Sequence, residues 1–332
     1  MNLTSSKASK IFGWFFIFLI GYLLIFFVIY VLSAAMLTKN ILPNIKLIRE
    51  YQRNYYVMNL RNIWHAKKEC IKFSKDNIFI PKETTCEFNN IEFASSLKFD
   101  KFGRYSDHPI KENEKGIAVV GDSYAMGWGV NDNETFSFIL EKKINKAVYN
   151  LGVSGYGTIR SLNRLKNSGL IDKVDTIIIQ YCYNDYGENI SKQMNEDINL
   201  TKKKFNLINN TSKMSYWKLL RKIIRYSFKI PFEIILKKNK NMDFAHHEKA
   251  FIKVLEKYPL IHDKKIIVFY VNGNEMKFKN FPEGKHHKFK NLKFLNLNLE
   301  KSPRNFFPID GHLNSTGHKK IALELDKYLK KN

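Results

Sequence analysis

Three kinds of pattern are missing from this sequence of 332 residues. Lys and Arg outnumber Asp and Glu by 55 to 31, but no basic run is interleaved with a nucleic-acid-binding motif, so we expect no nucleic-acid partner. The histidine pairs His246–His247 and His286–His287 have no cysteine or carboxylate at ligand spacing, which argues against a metal site. No segment repeats internally, and we expect no cofactor.

The composition itself is that of a folded protein. Hydrophobic residues make up 44% of the chain and aromatic residues 14%, which is ample for one large α/β core with an appendage. The net charge of +24 favours anionic partners, such as a phospholipid surface or an acidic glycan. A compositional bias toward Lys, Asn and Ile explains the same excess, so both interpretations stay open.

The N-terminal region contains a long run without charge. From Ile11 to Leu37 there is no charged, Asn, Gln or His side chain, and the run exceeds the roughly 20 residues that a helix needs to cross a bilayer. We therefore predict a transmembrane helix over residues 11–37. A cleaved signal peptide is the alternative, because Ser33-Ala34-Ala35 is similar to a cleavage site, but its apolar core would be unusually long.

The charges that flank this run do not settle its orientation. Lys7 and Lys10 precede it, and Lys39 and Lys46 follow it, so the positive-inside rule gives no clear answer. We expect residues 1–10 in the cytoplasm and the large domain outside it, at the periplasmic or extracellular face. One reason is that such a compartment suits the pair of cysteines that follows.

Residues 38–115 are predicted to form a juxtamembrane stalk and an N-terminal extension. Mixed aromatic and basic side chains up to about Lys67 are typical of a helix near a membrane, and residues 70–104 have the pattern of short extended pieces and turns. Two of the three cysteines, Cys70 and Cys86, flank a polar stretch there. In an oxidising compartment a disulfide between them would stabilise the fold by roughly 3 kcal/mol, and two unpaired thiols are the alternative.

From Gly116 onward, short apolar strands alternate with helices, which is the signature of a parallel sheet with helices on both faces. Residues 188–243 interrupt this rhythm and are predicted to be an insertion. Within it, a basic helix with one apolar face is an ordinary surface helix, a membrane-surface helix or a lid. The strands are predicted at residues 117–120, 147–151, 174–181, 265–271 and 292–297, and the helices at 134–144, 158–167, 244–257 and 315–329.

The first of these strands ends at a serine. The apolar run stops at Gly121-Asp122-Ser123, so the Ser123 hydroxyl lies at the carboxyl end of a central strand, where open α/β sheets bind their ligands. A serine becomes a nucleophile when a base accepts its proton and a third group orients that base. Near the C-terminus, His312 can be the base and Asp310 the orienting group, so we predict these three residues to form a catalytic triad.

Acyl transfer also needs hydrogen-bond donors that stabilise the oxyanion of the tetrahedral intermediate. Three candidates follow predicted strands: the backbone N–H of Ser123, the backbone N–H of Gly155 and the side-chain amide of Asn184. Glycine at position 155 allows a positive φ and a close approach of the backbone to substrate. Cys182, at the end of the strand before Asn184, is more typical of a small buried apolar residue than of a nucleophile.

From about Gly116 to its end, the chain resembles the SGNH (GDSL) hydrolases. Ser123 matches the serine of the first sequence block, Gly155 the glycine of the second, Asn184 the asparagine of the third, and Asp310 with His312 the fifth. Two positions depart from the family pattern: Cys182 replaces a glycine of the third block, and one residue instead of two separates Asp310 from His312. The resemblance implies a flavodoxin-like three-layer α/β/α sandwich with about five parallel strands. It also implies esterase or acyl-transfer activity.

We therefore expect a membrane-anchored serine hydrolase whose hydrolase domain covers residues 116–332. It would hydrolyse carboxylic esters through an acyl-enzyme, with O-acetyl groups of envelope glycans as the first candidate substrate and lipid esters as the second. Two other functions fit the same residues: an O-acetyltransferase of an envelope polysaccharide, and a non-catalytic glycan-binding or assembly protein that keeps the fold.

Overall fold

The computed structural model describes residues 3–107, 114–191, 198–209, 216–235, 244–271, 289, 291–295, 297, 299–300 and 302–331. The helices are α1 (Leu3–Thr38), α2 (Lys46–Tyr55), α3 (Ser123–Met126), α4 (Phe136–Ile144), α5 (Thr158–Lys166), α6 (Asp185–Ile190), α7 (Ile198–Asn209), α8 (Tyr216–Ile235), α9 (Phe244–Glu256) and α10 (Ser315–Lys331). The strands are β1 (Ile71–Ser74), β2 (Ile78–Pro81), β3 (Thr85–Asn89), β4 (Ala94–Asp100), β5 (Gly103–Arg104), β6 (Gly116–Val120), β7 (Val148–Asn150), β8 (Val174–Tyr181), β9 (Lys265–Tyr270) and β10 (Leu292–Leu295).

The chain divides into two compact units. The smaller unit consists of Met1–Arg61 and Ser212–Asn241, and the larger one of Asn62–Thr211 and Met242–Asn332. The smaller unit thus combines α1 and part of the predicted stalk with part of the predicted insertion. The larger unit combines part of the predicted extension with most of the predicted hydrolase domain.

The smaller unit contains α1, α2 and α8, which pack around the buried side chains of Tyr30, Tyr51 and Ile230. The Tyr51 hydroxyl donates to the backbone carbonyl of Ser227 at 3.3 Å and so ties α2 to α8. Within the stretch Ser9–Thr38 of α1, a window of 18 residues has a mean hydropathy of 2.9. Only 6% of that window is buried inside the protein. By length and composition this stretch fits a membrane span or a signal sequence.

The larger unit is organised around one mixed sheet with the strand order β10-β9-β8-β6-β7-β5-β4-β3. Strands β7, β6, β8, β9 and β10 pair in parallel and correspond to the strands predicted from the sequence. Strands β5, β4 and β3 continue the sheet in antiparallel pairing. The sheet is therefore larger than the resemblance implied, because residues 85–104 of the predicted extension add strands to its edge.

Helices cover both faces of the parallel strands. On one face, α5 and α9 pack against Ala118 and Val120 of β6, and on the other, α4 and α10 pack against Ile117 and Val119. This division follows from the geometry of a strand, in which successive side chains point to opposite faces. All residues of β6 are buried, as expected for a parallel strand covered on both sides.

The extension has its own aromatic cluster in the larger unit. Trp64, Phe79 and Phe88 are buried together with Trp128, which follows helix α3. A disulfide joins Cys70, just before β1, to Cys86 in β3, with their Cα atoms 6.0 Å apart. The extension is therefore packed on the sheet domain close to the turn that carries Ser123.

Candidate active site

Ser123, His312 and Asp310 form one hydrogen-bonded series. His312 Nε2 lies 2.8 Å from Ser123 Oγ, and His312 Nδ1 is hydrogen bonded to Asp310 Oδ1. An imidazole that donates from Nδ1 to a carboxylate leaves Nε2 free to accept a proton from the serine hydroxyl. Ser123 is 8% exposed and Asp310 4%, so the series is mostly shielded from water.

Ser123 is fixed by the sharp turn between β6 and α3. Gly121 has φ +150°, and a Cβ there would lie 2.7 Å from the backbone oxygen of Gln180 on the neighbouring strand. The Gln180 side-chain oxygen accepts from the backbone N–H groups of Asp122 at 3.1 Å and Ala125 at 3.3 Å. The Asp122 carboxylate accepts from the Tyr124 N–H at 2.9 Å and caps the short helix. Ser123 thus lies on a backbone turn that strand β8 holds in place.

The predicted oxyanion donors follow adjacent strands of the sheet. Ser123 follows β6, Gly155 follows β7 and Asn184 follows β8, and because these strands are parallel their carboxyl ends meet at one edge. The turn before Gly155 is bonded to the nucleophile turn, since the Val153 N–H donates to the Gly121 carbonyl at 3.0 Å.

Within the described part of the chain, the three candidate donor groups are not engaged by other protein groups. Among the described residues we find no acceptor for the backbone N–H of Ser123, the backbone N–H of Gly155 or the side-chain amide of Asn184. Gly155 has φ +85°, a conformation that glycine adopts readily, while the space around its Cβ position is open. Donors that remain free at the edge of a buried site can bind a developing negative charge.

An ion pair holds the Gly155 turn. Arg160 in α5 donates from Nη2 to the Gly155 carbonyl at 2.6 Å and from Nε to the buried carboxylate of Glu188 at 2.6 Å. Glu188 also accepts from the backbone N–H groups of Gly157 at 3.1 Å and Arg160 at 2.8 Å, which begin helix α5. The Gly155–Tyr156 peptide is therefore held in place, directly after the peptide that carries the Gly155 N–H.

The loop that carries Asp310 and His312 is held from two directions. Glu92, in the turn between β3 and β4, accepts from the backbone N–H groups of Ile309 at 2.9 Å and Asp310 at 2.6 Å. The Tyr124 hydroxyl donates to the Gly311 carbonyl at 3.2 Å. Glu92 thus links the antiparallel extension to the loop that carries Asp310.

A second group of ionisable side chains is buried near Ser123. Burial raises the pKa of Asp122 to about 6, although hydrogen bonds from Tyr124 and Cys182 and the nearby His312 oppose the shift. Burial, reinforced by Asp122, raises the pKa of Asp185 well above its ordinary value. Burial, with both carboxylates, also raises the pKa of the Cys182 thiol well above its ordinary value. A protonated buried thiol is a poor nucleophile, so Cys182 acts here as a small packed residue that donates to Asp122.

Packing explains two further histidines, His318 and His247. His318 in α10 accepts from the Phe136 N–H at 3.2 Å, and burial lowers its pKa to about 3, so it is neutral. His247 is hydrogen bonded to the Tyr181 hydroxyl at 2.9 Å and stacks on Tyr186. The pair at residues 286–287 lies outside the described residues.

Comparison with protein families and with curated proteins finds no match for this chain. Solved structures do give matches. One is a protein assigned to the G-D-S-L family of lipolytic proteins from Desulfitobacterium hafniense DCB-2, 13% identical, with a TM-score of 0.36 over 66% of this chain and 99% of that one. Another is a family two carbohydrate esterase from Clostridium thermocellum in complex with cellohexaose, 12% identical, with a TM-score of 0.35 over 67% of this chain and 65% of that one. At such TM-scores neither likeness decides a function.

Proposed function

We propose that this protein is a serine esterase that hydrolyses carboxylic esters through an acyl-enzyme on Ser123. The observation that carries the proposal is the hydrogen-bonded series from Ser123 through His312 to Asp310. It lies at the sheet edge where the backbone N–H groups of Ser123 and Gly155 and the amide of Asn184 have no acceptor among the described residues. This proposal also follows from the resemblance to the SGNH hydrolases.

In the first half of the reaction, Ser123 Oγ attacks the ester carbonyl carbon while His312 Nε2 takes the hydroxyl proton. Asp310 holds the imidazole in the required tautomer and stabilises the imidazolium. The tetrahedral intermediate then loses the alcohol, which takes the proton from His312, and the acyl group stays on Ser123. In the second half, water attacks the acyl-enzyme, His312 takes a proton from that water and returns it to Ser123, and the carboxylic acid is released.

The negative charge of both tetrahedral intermediates falls on the former carbonyl oxygen. We assign its stabilisation to the three donors from the ends of β6, β7 and β8. One such donor typically contributes a factor of about 10² to 10³ to turnover. The Arg160–Glu188 pair has a positioning role, because it holds the Gly155–Tyr156 peptide, which comes directly after the peptide that carries the Gly155 N–H, without contacting the substrate.

The finer parts of the proposal concern location and substrate. Helix α1 anchors the chain in a membrane, and the larger unit lies outside the cytoplasm, where the Cys70–Cys86 disulfide is stable. The substrate is an O-acetyl group of an envelope glycan. Tyr183, directly before Asn184, is 52% exposed and offers an aromatic ring to a sugar at this edge of the site.

The test compares the full chain in detergent with its Ser123→Ala variant on para-nitrophenyl acetate, butyrate and octanoate. We expect activity with a preference for acetate, and a loss of about 10³-fold or more in the variant. Ser168→Ala is the matched control, because Ser168 lies beyond the far end of α5 and should leave activity unchanged. A preference for octanoate would move the substrate to lipid esters.

Two outcomes would replace the proposal. If acetyl groups pass to an added glycan in place of water, the protein is an O-acetyltransferase that uses the same acyl-enzyme. If wild type and Ser123→Ala are equally inactive and an activated phosphonate fails to label Ser123, the chain is a non-catalytic glycan-binding or assembly protein.

A further inference from the structure

Helix α8 of the smaller unit has two different faces. Ile223, Tyr226, Ile230 and Ile234 pack toward α1 and α2. The opposite face is exposed and basic. It carries Lys218, Arg221, Lys222, Arg225 and Lys229.

Large apolar side chains are exposed on the same outward face. Trp217 is at its N-terminal end, and Phe232 and Ile235 are at its C-terminal end. Exposing large apolar side chains to water is unfavourable, so a surface that keeps them exposed indicates an interaction site. A surface that is both cationic and apolar is typical of a helix that lies at a lipid surface.

Helix α1 is longer than a bilayer requires. Its apolar stretch of 30 residues extends about 45 Å, against roughly 30 Å for the hydrocarbon core. The exposed large side chains of α1 begin at Ile11, whereas its buried residues are Tyr30, Ser33 and Leu37 near the C-terminal end. The C-terminal third of α1 is thus packed in the helical unit, and the exposed part before it is available to lipid.

A groove lies between α1 and α8. On α1 it is close to the point where the exposed part of the helix ends and the packed part begins. Its volume is about 320 Å³, and it is lined by Tyr22, Arg225, Lys229, Phe232 and Ile235. Arg225 and Lys229 are one helical turn apart, so both charges project on the same side of α8. Lys229 also pairs with Glu233 at 3.6 Å, but both side chains are exposed and such a pair contributes little to stability.

We infer that this groove binds an anionic phospholipid, whose phosphate lies between Arg225 and Lys229 and whose acyl chain lies along Phe232 and Ile235. The two cations complement the phosphate, and the apolar side chains complement the chain. A polyanion without acyl chains would leave Phe232 and Ile235 in water, so lipid fits the groove better than a free anion does.

The inference rests on the proposed membrane anchor and is independent of the proposed esterase chemistry. Its test uses the full chain after delipidation in detergent. Phosphatidylglycerol and phosphatidylcholine with identical acyl chains are added, and native mass spectrometry measures how much of each lipid the protein retains. We expect wild type to prefer phosphatidylglycerol by about ten- to thirtyfold, since two basic side chains face the headgroup. Arg225→Gln/Lys229→Gln should lose this preference.

Three further arms make the result decisive. Lys319→Gln/Lys320→Gln removes the same charge from the exposed face of α10 in the larger unit and should keep the preference. Arg225→Lys keeps the charge and should keep it too, which separates loss of charge from loss of folding. Inorganic phosphate should fail to displace the lipid. Equal retention of the two lipids by wild type, equal loss in both double variants, or displacement by phosphate alone would overturn the inference.

The anchor is tested separately, by asking whether carbonate extracts the chain from membranes. A chain that is extracted but keeps its preference for phosphatidylglycerol would disprove the anchor and leave the lipid site. A chain that stays in the membrane without this preference would disprove the lipid site and leave the anchor.

Discussion

The parallel strands and the antiparallel extension of the larger unit contribute different things to the candidate site. The parallel half carries Ser123, Gly155 and Asn184 at the ends of adjacent strands, and the loop before α10 adds Asp310 and His312. The extension carries no residue that we propose to touch substrate. It holds the loops on which the reactive groups lie.

The extension holds those loops through two buried or partly buried charges. Glu92 accepts from the backbone beside Asp310, and Arg104 of β5 donates to the carbonyls of Met126 at 2.7 Å and Val130 at 2.6 Å, just beyond α3. Arg104 is fully buried, and its pKa is lowered by burial, while Asp132 at 2.7 Å opposes the shift. We therefore assign the edge strands a positioning role for the proposed site, whose reactive groups lie on the central strands and on the loop before α10.

The largest effect expected in the parallel half comes from the triad carboxylate. Asp310→Asn should lower kcat/KM by about 10³- to 10⁴-fold, because the amide no longer fixes the imidazole tautomer. Ester hydrolysis measures this loss, and circular dichroism should give an unchanged spectrum. Activity within tenfold of wild type would remove Asp310 from the proposed triad.

The next effect tests the donor that follows β8. Asn184→Ala should lower kcat by about 10²- to 10³-fold with little change in KM, because the amide acts on the transition state more than on the bound ester. Steady-state kinetics on para-nitrophenyl acetate separate the two constants. Asn189→Ala, in helix α6 that begins directly after Asn184, is the control, and an equal loss in both variants would indicate damage to α6.

The third prediction concerns Asp122, the residue directly before Ser123. Its buried carboxyl group should make the free energy of unfolding depend on pH. The pKa of Asp122 is raised by burial from 3.8 to about 6, so the ionised carboxylate costs free energy of folding above pH 6. As the pH falls below about 6, the folded protein binds the proton and the cost decreases. It is gone below 3.8, where the unfolded chain also binds the proton. Asp122→Asn should therefore stabilise the protein at pH 8 by up to about 3 kcal/mol, and much less at pH 4.5.

Thermal unfolding of wild type and Asp122→Asn at both pH values measures this difference. Asp172→Asn, at an exposed carboxylate, is the control and should change stability little at either pH. A stabilisation by Asp122→Asn that is equal at pH 4.5 and pH 8 would contradict the assignment, since a pH-independent gain cannot come from the ionisation of this carboxyl.

Much of the parallel half could be predicted because its signals are local. Strand β6 is a continuous apolar run that stops at a serine, and Asp310 and His312 are two positions apart in one loop. Strands β8 and β9 were equally clear, since burial on both faces requires consecutive apolar residues.

The extension could not be predicted in this way. Strand β5 consists of two residues, Gly103–Arg104, which is too short to give an alternating pattern. Glu92 acts on backbone N–H groups 217 and 218 positions away, and a backbone partner leaves no signature in the sequence. The same holds for Arg160 and Glu188, because their contact with the Gly155 turn depends on how α5 and α6 come together.

The smallest effect expected is also the direct test of the extension. Glu92→Ala should lower kcat by about tenfold, because the backbone of Ile309 and Asp310 loses its acceptor and the triad carboxylate becomes less well placed. Glu92→Gln keeps one carbonyl oxygen as an acceptor and should recover most of this loss, which a purely electrostatic role would not allow. Glu87→Ala, on the neighbouring strand β3, is the control for a general effect on the extension. If Glu92→Ala changes thermal stability but leaves kcat and its pH profile as in wild type, the extension supports the fold alone, and the division between reactive and positioning halves fails.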